Sequence, residues 1–254
     1  MRPMAELVLL HTADLHGKLS RGAAARLRLM KAELGALLLD SGDALSVPNI
    51  IAVPWRTAAA RRMAEAGYDA MALGNREYFF RARGISWVAR SFPFPLLAAN
   101  LDLPPAAGVE RVAYLDHASG EVAVLGLARC MIPPTSFLQR LSNVRWRDPV
   151  ETVRDIVGLA RPRSQWFVAL SHLGLRDDLK LACQCPELDV VLGAHDHLLT
   201  AVAATSAGPT VVHSGCHARS VSIIRLRRRK ACHSEELRKV PSEGVDVTVE
   251  VVRL

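Results

Sequence analysis

Several features are missing from this chain of 254 residues, and each absence narrows what it is. No apolar run approaches the ~18 residues that a membrane span needs, so no membrane is expected among its partners. The first ten residues lack the charged, then apolar, then small-residue layout of a secretory signal, and the expected location is cytoplasmic. Cysteine is sparse and odd in number: Cys130, Cys183, Cys185, Cys216 and Cys232. That count, without an export signal, argues against a disulfide framework. Cys183 and Cys185 have metal-ligand chemistry, but no second pair completes a thiolate site with them. Internal repeats, low-complexity blocks and credible linkers are also absent, so one domain over residues 1–254 is expected.

Half of the residues are hydrophobic, enough for a sizeable core. The net charge of +7 favours an anionic partner, either a small molecule or a nucleic acid. Most of the excess is arginine scattered along the chain, which reads as an ordinary basic surface. The local run Arg225, Arg227, Arg228, Arg229 and Lys230 reads as the solvated edge of a strand.

The informative stretch is Leu7-Val-Leu-Leu-His-Thr-Ala-Asp-Leu-His-Gly17. Four apolar residues, the length of a buried strand, end in a polar segment closed by glycine. In extended chain, side chains two apart point the same way, so Asp14 and His16 face one spot. Together they make half of a metal site.

The pattern repeats downstream. A helix is predicted over Gly22–Leu34, with Ala23, Leu27, Met30 and Leu34 on one face and Gly35 as its stop. The strand Ala36–Leu39 ends in Asp-Ser-Gly-Asp43. After a loop marked by Pro48 and Pro54, a helix over Trp55–Ala66 leads to the strand Asp69–Leu73, which ends in Gly-Asn-Arg-Glu77. Strand, helix, strand, helix, strand predicts parallel strands with crossover helices, hence an α/β fold. Next come a short helix over Gly84–Ser91 and a strand over Pro95–Ala99. A hairpin joins Val112–Leu115 to Val122–Leu127. Asp148-Pro149-Val150-Glu151 has the chemistry of a helix start. The strand Trp166–Leu170 ends in Ser-His-Leu-Gly174, and a helix follows over Leu175–Cys183. The strand Leu188–Leu192 ends in Gly-Ala-His-Asp-His197. Strands over Thr210–His213, Ser220–Leu226 and Val245–Val252 close the chain.

Ligands of open α/β sheets bind beyond the carboxyl ends of the strands. Asp14, His16, Asp43, Asn75, His172, His195 and His197 all stand there. Each alone has an ordinary explanation as a turn residue or a solvated histidine. As a set they are oxygen and imidazole donors with no thiolate, which suits Mn, Zn, Fe, Ni or Co. Seven are too many for one tetrahedral ion and fit two divalent ions sharing a carboxylate. Such a pair clamps a phosphate and activates a water.

This series resembles the calcineurin-like metallophosphoesterases, most closely their 5′-nucleotidase branch, over His11 to about His217. The resemblance implies a two-sheet β-sandwich flanked by helices, in four layers. It implies a binuclear centre in which Asp14, His16 and His197 hold one ion, Asn75, His172 and His195 hold the other, and Asp43 bridges. A small phosphorylated substrate, nucleotides among them, is the expected partner.

Two departures stand out. The family's third motif normally reads Gly-Asn-His, and its histidine assists the leaving group; here Arg76 follows Asn75. The aspartate that partners this histidine three residues on is Phe79 here. Arginine is no general acid near neutrality, because its pKa exceeds ~12. It does hold phosphate oxygens in a fork, which gives Arg76 and Asn75 a substrate-binding role. His213 and His217 are the alternative proton sources or supports of the ligands. The second departure is length: the secreted 5′-nucleotidases continue into a nucleoside-binding domain, which this chain is expected to lack. A phosphodiesterase or nuclease on the same centre, and a metal-binding pseudoenzyme, remain the alternatives.

Overall fold

A computed structural model describes residues 6–47, 58–78, 81–133, 135–160, 163–202, 208–228 and 245–254. Pro48, Pro54, Trp55, Phe79, Arg229, Lys230 and Cys232 lie outside the described residues.

The first strand, β1 (Glu6–Thr12), is buried along nearly its whole length. Helix α1 (Arg21–Leu34) starts at Ser20, whose hydroxyl accepts the Ala23 N–H, and ends at Gly35 with φ 59°. Strand β2 (Leu37–Asp40), helix α2 (Ala58–Ala66) and strand β3 (Ala70–Ala72) complete the opening alternation. Helix α3 (Ala82–Ala89) and strand β4 (Leu96–Leu97) are shorter or shifted relative to the pattern in the sequence. Then come β5 (Leu101–Asp102), β6 (Val112–Leu115), β7 (Val122–Leu127), α4 (Leu138–Ser142) and β8 (Arg145–Trp146). Helix α5 (Pro149–Ala160) begins as expected, with the Asp148 carboxylate accepting the N–H groups of Val150 and Glu151. The chain closes with β9 (Trp166–Ser171), α6 (Leu175–Gln184), β10 (Val190–Gly193), β11 (Leu199–Val202), β12 (Thr210–Ser214), β13 (Ser220–Arg228) and β14 (Val245–Arg253).

Two six-stranded sheets result, in the orders β14-β13-β1-β2-β3-β4 and β11-β12-β10-β9-β7-β6, with β5 and β8 as a separate pair. The β1-β2-β3-β4 and β7-β9-β10-β12 blocks are parallel, and antiparallel strands edge both sheets. Alternation along each strand builds the layers. Leu7, Leu9, Leu37 and Leu39 meet Val168, Leu170, Val190 and Leu192 between the sheets. Val8, Leu10, Leu38 and Met71 pack outward against α1, α2 and α3. Ala123, Leu125, Phe167 and Val191 pack outward against α5 and α6. With both faces covered, the strands read as continuous apolar runs. The fold is the four-layer α/β sandwich that the resemblance implied.

A polar seam joins the sheets just below their carboxyl ends. Fully buried His11, at the end of β1, lies 2.8 Å from Ser41 Oγ and 2.6 Å from Ser214 Oγ. The Ser41 hydroxyl in turn donates to the Leu192 carbonyl of the other sheet. Burial, with a smaller push from His213, drives the His11 imidazole from its ordinary 6.5 down to about 3. The unfolded chain therefore takes the proton first. The stabilising contribution is complete above pH 6.5 and is lost as pH falls towards 3. Between pH 7 and 5 this one group removes about 2 kcal/mol of stability. Denaturant titrations of the wild type and His11→Asn at both pH values check this, since the variant loses that much less between them.

Candidate metal centre

Every residue singled out at a strand end stands at one edge of the sandwich, where the two sheets meet. The first sheet contributes Asp14 and His16 after β1, Asp43 after β2, and Asn75 after β3. The second contributes His172 after β9, and His195 and His197 after β10. Asp14 Oδ1 lies 3.9 Å from His16 Nε2 and 3.8 Å from His197 Nε2, and these two nitrogens are 3.0 Å apart. His172 Nε2 lies 3.5 Å from Asp43 Oδ1, and Asn75 Nδ2 lies 3.2 Å from His195 Nδ1. Carboxylate oxygens of Asp14 and Asp43 and a ring nitrogen of His16 all fall within 4.8 Å of one another.

The backbone is bent to achieve this. Eight described residues other than glycine have positive φ, and six of them are Asp14, His16, Asp43, His195, His197 and His217. Left-handed backbone costs free energy in bulky residues and persists where surrounding structure enforces it, mostly at functional sites. The enforcement is visible in hydrogen bonds. Asp14 N–H donates to the Gly42 carbonyl, and His16 N–H to the Asp43 carbonyl. Asp14 Oδ2 accepts the His195 N–H at 3.0 Å, crossing from one sheet to the other.

Glu77 is a residue whose role the sequence did not disclose. Its buried carboxylate accepts three backbone N–H groups, from Asp43, Leu45 and Gly74, at 2.9, 3.0 and 3.0 Å. It clamps the turn of Asp43 against the turn of Asn75. Gly74 permits the approach: a Cβ there would lie 2.2 Å from Asp43 N and 2.4 Å from Asp43 Oδ1.

Arg76 reaches the same place. Its backbone N–H donates to Asp43 Oδ1 at 2.7 Å, and its Nη1 to the Val47 carbonyl at 2.7 Å. Its Nε stands 3.7 Å from Asp43 Oδ2 with no hydrogen-bond partner. His213 does not join the cluster. It is 1 % exposed, with Nε2 2.8 Å from Asp178 Oδ2, and that carboxylate also takes the Ser171 hydroxyl behind His172. His217 does join, with its ring 5.4 Å from His16 and 5.5 Å from His197. The Cys183 and Cys185 thiols diverge, one exposed and one buried under α5 and α6.

The electrostatics fit cations. Asp14 Oδ1 and His172 Nε2 are buried without hydrogen-bond partners, the condition of atoms awaiting a ligand. Burial pushes the Asp14 carboxyl up to about 6 and holds His16 and His195 down near 4, neutral with a lone pair free. Burial works against the charged form of His172 too, but the Asp43 carboxylate outweighs it and lifts that imidazole to about 9. Asp43 is itself held below the usual carboxylate range by His172 and the Arg76 N–H, against its burial.

An α/β sandwich that collects carboxylates, an amide and imidazoles at the meeting edge of its two sheets has the architecture of a metal-dependent phosphoesterase. Residues 7–199 match the sequence model of the calcineurin-like phosphoesterase family, and the chain belongs to that family. A 5′-nucleotidase of Bos taurus is 29 % identical over 218 residues, covering 76 % of this chain and 38 % of its own length. The chain thus spans about two fifths of the length of such relatives. A solved 5′-nucleotidase precursor from Thermus thermophilus superposes with a TM-score of 0.74 at 22 % identity, over 98 % of this chain and 54 % of its own. The NAD nucleotidase of Haemophilus influenzae does so with 0.75 at 15 % identity, over 98 % and 50 %. Among the described residues no helix is long and apolar enough to cross a membrane.

Proposed function

We propose that the chain hydrolyses phosphate monoesters of small molecules, nucleotides among them, with two divalent ions. In this reading Asp14, His16 and His197 hold one ion, Asn75, His172 and His195 hold the other, and Asp43 lies between. The observation that carries it is the pair of buried, partnerless ligand atoms, Asp14 Oδ1 and His172 Nε2, one beside each half of the cluster. Divalent ions there supply a water nucleophile at neutral pH and polarise the phosphoryl oxygens.

The chain's own residues orient the ester. The Arg76 guanidinium, with a free Nε next to Asp43, donates to phosphoryl oxygens and offsets charge that builds on them. A guanidinium is no general acid near neutrality, so in this reading the departing oxygen takes no proton from position 76, and esters of acidic alcohols react best. Phosphomonoester chemistry is favoured over the nuclease alternative because the described cations of the basic run are engaged within the fold. Arg225 and Arg227 pair with Glu6. Arg228 lies over Trp166 and bonds Gln165 O and Asp189. The match to 5′-nucleotidases at 29 % identity supports the nucleotide part of the reading.

The test is turnover of p-nitrophenyl phosphate by metal-stripped protein before and after Mn²⁺ is restored, followed by nucleoside monophosphates. Turnover that returns with the metal is expected; no turnover with any divalent ion would sink the reading and leave the pseudoenzyme alternative. A second outcome follows from His172. At about 9, it is protonated in the metal-free protein at pH 7 and must release that proton to become a ligand. Metal affinity should therefore rise about tenfold per pH unit from 7 towards 9. Calorimetric titration in buffers of different ionisation enthalpy checks both the slope and the released proton.

A further inference from the structure

His217 stands outside the ligand set that the family resemblance implies, yet the fold treats it like a member. A ring nitrogen from each of His16, His197 and His217 lies within 4.8 Å of the other two, an arrangement that could hold a metal ion. The ring centroids form a near-equilateral group, 5.0, 5.4 and 5.5 Å apart. The loop between β12 and β13 is fastened to both neighbouring ligand-bearing loops by main-chain bonds. His217 N–H donates to the Asp14 carbonyl at 2.8 Å, and Gly215 N–H to the Leu198 carbonyl at 2.7 Å. His217 and Ala218 hold φ of 62° and 54°, the same left-handed backbone as the other members. Its Nδ1 lies 3.5 Å from Cys216 Sγ, a contact that steadies one side of the ring.

We propose that His217 is a protein ligand of the first ion, alongside Asp14, His16 and His197. The inference rests on the metal-centre reading above and extends it. Three imidazoles beside Asp14 and the shared Asp43 give the first position more nitrogen than oxygen donors, whereas Asp43, Asn75, His172 and His195 offer the second position equal shares. Imidazole suits Zn, Ni and Co, and oxygen donors suit Mn, so the two positions differ in their preferred ion. A centre carrying two different metals follows.

The test uses the full chain, stripped of metal and loaded with Co²⁺, whose unpaired electrons shift the N–H resonances of bound imidazoles. The wild type is expected to show five such signals, from His16, His172, His195, His197 and His217, and His217→Ala four. Zn²⁺ competition should show the tighter site of His217→Ala weakened at least ~10-fold, the lower range for loss of a mere outer support. Mn²⁺ binding at the weaker site should be unchanged. Four shifted signals in the wild type would overturn the proposal, whether or not the variant folds. Unaltered Co²⁺ absorption and Zn²⁺ affinity in a folded His217→Ala would do the same. A wild type that takes up no Co²⁺ would overturn the metal-centre reading itself, and this ligand with it.

Discussion

Replacing Asp43 by asparagine should reduce metal-dependent phosphatase turnover by on the order of 10³-fold, the largest effect of any single substitution in the centre. The side chain keeps its shape, and the neighbouring groups explain why the charge cannot be spared. Asp43 is 4 % exposed, 3.5 Å from His172 Nε2 and 3.7 Å from Arg76 Nε. Its carboxylate falls in the same group as Asp14 and His16 and also faces His172, so it stands between the two halves of the cluster. An amide there offers one neutral oxygen to two cations and leaves the Arg76 charge unanswered. Bound metal, counted by elemental analysis after gel filtration, should fall from two ions per chain to one or fewer. Full turnover in Asp43→Asn would mean that this residue does not link the two positions. The Glu77 clamp holds the Asp43 backbone rather than its side chain, so melting temperature should change little beside activity.

Arg76→Ala should lower kcat/KM for p-nitrophenyl phosphate by about 100-fold, about 3 kcal/mol, at the upper end for hydrogen bonds to charged groups. The backbone N–H of residue 76 still reaches Asp43 Oδ1 in the variant, so the loss reports the guanidinium alone. If the fork acts on the transition state, the decrease lies in kcat; if it only gathers phosphate, the decrease lies in KM. The leaving-group dependence is the sharper readout. With Arg76 in place, aryl phosphates should react much faster than alkyl phosphates, and Arg76→His should narrow that gap by restoring a group able to lose a proton near neutrality. Equal rates for aryl and alkyl esters in the wild type would sink this account of position 76.

The strand-end residues were legible because strand and site obey one rule. Each apolar run is buried on both faces and so reads as an uninterrupted block. Each candidate site residue follows its block within a few positions, where the chain leaves the sheet. That is why Asp14, Asp43, Asn75, His172 and His195 could be placed without coordinates, and why the family resemblance rests on the same short segments. The sheet to which each strand belongs was not legible, since Leu37–Asp40 and Val190–Gly193 are both four-residue strands of three buried apolar residues closed by one polar or small residue. The two-residue strands β5 and β8 have no periodicity to detect, and β11 is an exposed edge whose pairing to β12 depends on the turn at Leu198. Glu77 and His11 escaped for another reason. Their work is to satisfy main-chain and hydroxyl groups brought together from far along the chain, which leaves no local pattern.

The polar seam at His11 and the division of donors between the sheets bear on how the molecule is made. Asp14, His16, Asp43 and Asn75 belong to one sheet, and His172, His195 and His197 to the other. Neither sheet alone presents more than about half of the proposed ligand set. More than 150 residues separate Asp14 from His195, so the first half of the chain carries only part of the proposed ligand set. If the proposed centre forms, capture of its full complement of ions would report that the two sheets have docked in register, a built-in inspection of the finished sandwich.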